Sequence, residues 1–79
     1  MKVDTYLSEK DGRGLVLVVP AGTDPNSLGG DIAQTIAMNQ PWHESRSDEL
    51  ETLFQGPRLA AVRKELADTG AAIAQAKAE

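Results

Sequence analysis

The sequence has no cysteine, which removes disulfides, thiolate metal ligands and cysteine nucleophiles together. Histidine is nearly absent as well. With His43 as the only imidazole, the usual first-row metal sets cannot assemble within one chain. Aromatic side chains are limited to Tyr6, Trp42 and Phe54, too far apart in sequence to suggest a base-stacking platform. Positive charge is also short: eight Lys and Arg against twelve Asp and Glu leave a net charge of -4. That balance disfavours gripping nucleic-acid phosphates or an anionic membrane. The longest aliphatic run, Leu15 to Val19, is too short for a signal sequence or a membrane span, so a cytoplasmic location is expected. At 79 residues the chain supports one small domain and no second core.

What is present reads as an α+β domain over 1–79. Val3, Thr5 and Leu7 alternate with Lys2, Asp4, Tyr6 and Ser8, the two-residue period of a strand with one buried face. Lys10-Asp11-Gly12-Arg13-Gly14 concentrates turn formers, and Leu15-Val16-Leu17-Val18-Val19 is apolar on both faces. These predict a hairpin over 1–19, its second strand central and ended by Pro20. Asp24-Pro25 suits a short helical start in which the aspartate caps. Asp31 is the expected cap of a helix over 31–39 carrying Ile32, Ala33, Ile36 and Ala37 at helical spacing. After Gln40-Pro41, residues 42–47 suit an edge strand with Trp42 packed inward. Ser47 or Asp48 is positioned to cap a further turn bearing Leu50, Leu53 and Phe54. An amphipathic helix over 58–69 follows, with Leu59, Val62 and Leu66 on one face and Gly70 at its end. Residues 71–76 read either as more helix, from their alanines, or as a last strand centred on Ile73, which Gly70 favours. Lys77 to Glu79 reads as a frayed tail. The expected architecture is a small sheet built on the hairpin, with both main helices on one face and a third strand near the C-terminus.

Two resemblances accompany this layout. Tyr6 precedes the hairpin and Val18-Val19 closes the second strand. Leu28 and Ile32 stand at the first helix, and Val62, Leu66 and Gly70 follow at four-residue steps before a last strand. This spacing resembles the small bacterial YcgL-like family, whose activity is unassigned. The resemblance implies a β-hairpin followed by helices packed on a sheet, and no catalytic residues. Separately, Leu50-Glu51-Thr52-Leu53-Phe54-Gln55-Gly56-Pro57 resembles the cleavage site of picornaviral main proteases, a sequence widely built into expression vectors. Two readings stand: an inserted site foreign to the fold, or a helical turn with Leu50, Leu53 and Phe54 on one face and Gly56-Pro57 opening the next helix.

The chemistry on offer is sparse. His43 and Glu44 lie on opposite faces of an extended segment, so they do not converge as a base and its orienting carboxylate. Asp48, Glu49 and Glu51 cluster where a helix start would use their charge. Gly12-Arg13-Gly14 and Gly29-Gly30-Asp31 match neither phosphate-binding spacing. Arg58, Arg63 and Lys64 give the last helix a mild basic side within an acidic chain. No catalytic residue, metal ligand or cofactor is expected. Domains this small bury only about 60% of their unfolded surface, and neither a disulfide nor a metal supports this one. A partner surface is therefore expected, either another protein or a second copy, with Tyr6, Val18 and Trp42 as its residues. The alternative is a small-ligand binder or enzyme using His43 and Glu44 near a pocket between the sheet and the Ile32 helix.

Overall fold

A computed structural model describes residues 1–10 and 14–75. Four strands, β1 (Lys2–Ser8), β2 (Leu15–Pro20), β3 (His43–Glu49) and β4 (Ala72–Gln75), form one antiparallel sheet in the order β3-β1-β2-β4. A single 3-10 turn (Pro25–Ser27) and helix α1 (Gly30–Met38) lie between β2 and β3. Helices α2 (Leu50–Leu53) and α3 (Gly56–Thr69) lie between β3 and β4. The chain is thus α+β, as its patterning implies, with the N-terminal hairpin at the centre of the sheet. The hairpin turn residues 11–13, the end of the 71–76 segment and the expected frayed tail lie outside the described residues.

β2 dictates the layering. Its alternate side chains are apolar in both directions, so each face of the sheet needs its own cover. On one face Val3, Val18 and Ala72 pack with Leu50, Phe54, Val62 and Leu66 from α2 and α3. On the other, Leu17 and Val19 pack with Ile36 and Ala71, joined by Tyr6, Ile32, Trp42 and Ile73. The two main helices therefore occupy opposite faces, which corrects the expectation that both sit on one. A one-sided arrangement would leave either Leu17 and Val19 or Val18 in water, and all three are fully buried.

Other local expectations are met or shifted by a few residues. Asp24 caps the 3-10 turn, its Oδ1 accepting from the Asn26 N–H at 2.9 Å, with Pro25 in the first turn. α1 begins at Gly30, after an N-cap at Gly29, so Asp31 sits in its first turn rather than capping it. α3 ends at Gly70, whose φ of 84° places it in the left-handed region that glycine enters freely. The Gly70 N–H donates to the Leu66 carbonyl at 2.9 Å, and the chain then turns into β4. Ser47 and Asp48 are strand residues; the cap position before α2 belongs to Glu49, which makes no side-chain capping bond. The segment after Trp42 is indeed an edge strand, and it pairs with β1.

The octapeptide is part of the fold. Leu50 is fully buried, Phe54 is 9% exposed, and both belong to the core beneath α3. Gly56 and Pro57 are the first residues of α3. A protease that reads this stretch as an extended peptide needs the core to open first. The folded chain is therefore expected to survive incubation with a picornaviral main protease under conditions that cut the free octapeptide, as judged by intact mass. Leu50→Ala is expected to lower stability in urea unfolding by about 2–5 kcal/mol, a large share of the ~4–12 kcal/mol typical at this length. The same substitution is expected to accelerate cleavage between Gln55 and Gly56, because it populates the open form.

Candidate functional site

A concavity lies on the α1 face. At the end of α1, three side-chain hydrogen bonds reach carbonyls of its last turn, where the Ile36 carbonyl also accepts from the Asn39 N–H at 3.3 Å. Lys10 Nζ donates to the Met38 carbonyl at 2.8 Å, Asn39 Nδ2 to that of Thr35 at 2.8 Å, and Trp42 Nε1 to that of Ile36 at 2.8 Å. Ser8, buried despite its polar position in the β1 pattern, donates its hydroxyl to the Asn39 carbonyl. These bonds fix the Trp42 ring beside Tyr6, and Gln40-Pro41 turns the chain between them and β3. A cavity of about 390 Å³ results, lined by Tyr6, Trp42, Ile36 and Pro41 together with Asp24 and Asn26.

The one charged side chain among the described residues lining this cavity is the carboxylate of Asp24. Glu44 stands directly across from Tyr6 in the β1–β3 ladder, and Asp4 and Asp24 are close enough to act on the phenol. Burial first, then the Glu44, Asp4 and Asp24 carboxylates, push the Tyr6 hydroxyl above the ordinary phenol range. Asp4 is held below the usual carboxylate range, chiefly by the hydroxyl that Ser47 donates to it and then by the Gly22 N–H at 3.1 Å. Among the described residues, no Lys or Arg side chain lines the cavity.

The sequence-expected residues fare differently. Tyr6 and Trp42, distant in sequence, are brought together in the lining of one cavity. Val18 is fully buried beneath α3 and serves the core, so its expected place on an interaction surface is corrected. The cause is register: Val18 pairs with Thr5 on the face opposite Tyr6. His43 pairs with Leu7 and Glu44 with Tyr6, which sends the two side chains to opposite faces, and both are exposed. A cavity does lie between the sheet and the Ile32 helix, yet neither His43 nor Glu44 lines it. Glu49 and Glu51 do not serve a helix start alone. Each accepts a hydrogen bond from the Met1 ammonium at 3.0 Å, and Glu51 also pairs with Arg63 at 2.9 Å. Asp24 was legible as a cap but not as a cavity residue, because that second placement depends on α1 folding back over Tyr6.

Among the described residues, no group of three or more His, Asp or Glu side chains converges as a metal-ligand set, and no helix is long and apolar enough to cross a membrane. Comparison with family models, curated proteins and solved structures finds no match to this chain.

Tyr6 is the only tyrosine, so its phenolate absorbance reports this site alone. Titration is expected to place its midpoint above about 10. Glu44→Gln is expected to lower that midpoint while leaving it raised, since burial is the largest cause. A raised folded-state value makes the neutral phenol the form the fold prefers. The associated stability is thus present below the unfolded value and lost as pH rises through the folded one. Tyr6→Phe is expected to remove that alkaline loss in urea unfolding curves.

Proposed function

We propose that this chain is a non-catalytic protein-interaction module whose binding surface is the groove between Tyr6 and Trp42, and that it takes a basic segment of a partner protein. The observation that carries the reading is the combination of two half-buried aromatic side chains with Asp24 on the lining, Glu44 outside it but across from Tyr6, and no basic liner among the described residues. A Lys or Arg side chain entering there meets ring faces, which attract cations by about 0.5–2 kcal/mol, and carboxylates that steer it. Its aliphatic stem lies against Ile36 and Pro41. The divergence of His43 from Glu44 supports a binding surface over an enzyme built on that pair.

Trp42 is the only tryptophan, which makes its fluorescence a direct reporter. Titration with a capped Ala-Arg-Ala peptide is expected to change Trp42 emission, and a capped Ala-Glu-Ala peptide is expected to leave it unchanged. Asp24→Asn is expected to weaken arginine-peptide binding several-fold, the scale of one partly exposed charge contact. Equal responses to the two peptides would remove the reading. Concentration-dependent dimerisation that shields Trp42, seen by sedimentation with fluorescence quenching, would instead assign the groove to a second copy.

A further inference from the structure

The opposite face of the sheet carries a second cavity, of about 260 Å³, whose chemistry is the reverse of the first. Val16, Leu53 and Phe54 provide apolar walls, and the guanidinium-bearing side chains of Arg46 and Arg58 line the same space. Three independent features bring positive charge there in a chain of net charge -4. The first is an irregularity in the β1–β3 ladder between Asp4 and Tyr6, opposite Ser45 and Arg46. The Thr5 hydroxyl spans it, donating to the Arg46 carbonyl and accepting from the Arg46 N–H, both at 3.0 Å. Such an irregularity re-aims side chains on an edge strand, and here Ser45 and Arg46, consecutive in the chain, both line the cavity. The second is Arg58 in the first turn of α3, which has no carboxylate partner among the described residues. The third is the start of α3 itself. It has no acidic residue in its first turn and no capping side chain, so the positive end of its dipole is uncompensated.

Arg46 is held only loosely: its contact with Asp48 is 3.5 Å long and exposed on both sides, an ion pair easily exchanged. Two guanidinium forks match a planar carboxylate, which each can grip through paired N–H donors. The volume lies just under the ~300–1,000 Å³ of sites for drug-sized ligands, which favours a short molecule over a nucleotide. We infer that this cavity binds a small amphipathic carboxylic acid, its carboxylate between Arg46 and Arg58 and its hydrocarbon chain against Val16, Leu53 and Phe54. This site shares no residue with the Tyr6–Trp42 groove and stands or falls separately from it.

The test is a titration of the full chain with octanoate, followed by amide chemical shifts in nitrogen-15 NMR spectra. Saturable shifts at Thr5, Val16 and Phe54 are expected, with Trp42 unmoved. Arg46→Gln combined with Arg58→Gln is expected to raise the dissociation constant by about tenfold or more. Both side chains are exposed, so the double variant is expected to keep the wild-type spectrum elsewhere and its unfolding midpoint. Absence of shifts at those three residues would overturn the inference. So would equal binding by octylamine, binding undiminished in the double variant, or inorganic sulfate binding as tightly as octanoate. The last would leave a bare anion contact with no use for the apolar walls.

Discussion

A central strand that is apolar on both faces has to be covered twice, and burial of Leu17 and Val19 on one side and Val18 on the other organises the rest of this small domain. Two separate cores follow, one beneath α1 and one beneath α2 and α3. Each is thin, since fewer than eighty residues are divided between them, and small side chains such as Ala71 and Ala72 close the space. The octapeptide at 50–57 matters for this reason: Leu50 and Phe54 are two of the bulkier side chains in the core under α3.

Covering β2 leaves the other end of the sheet comparatively open. α3 packs against β2 and β4, whereas β3 is a polar edge with nearly every side chain exposed. Its charged residues protect an unpaired strand edge from adding further strands. Over the β1 and β3 end, where helical cover thins, a concavity forms on each face. One is walled by Tyr6 and Trp42, the other by Arg46 and Arg58.

The two concavities differ in charge because the irregularity in the β1–β3 ladder breaks the alternation that would otherwise put Glu44 and Arg46 on one face. Tyr6 and Glu44 face α1, while Thr5 faces α2 and α3, where its hydroxyl braces the backbone of Arg46. A modest negative total thus accommodates cavity linings of different charge on the two faces of the sheet. The Asp24 carboxylate lines the groove of Tyr6 and Trp42, and the Arg46 and Arg58 guanidinium groups line the other. The proposed basic segment and the proposed carboxylic acid are told apart by which charge is desolvated at each face.

Much of this was legible in the sequence wherever the signal is local. The alternation of Val3 and Thr5, the aliphatic run of β2, the cap-and-proline pair Asp24-Pro25, the four-residue spacing of Val62 and Leu66 and the turn at Gly70 are each set by interactions within a few residues. Periodicity and capping report such interactions directly. Three features escaped: the placement of α1 and α3 on opposite faces, the burial of Val18 away from Tyr6, and the lining of one cavity by both Arg46 and Arg58. The β1–β3 register that aims Arg46 rests on pairings about forty residues apart, such as Thr5 with Arg46. Patterning says that a residue is apolar or extended, but not which of two apolar faces a later helix will cover. That choice was decided only when the chain closed on itself, because it depends on burying both faces of β2 at once and not on any single segment's preference.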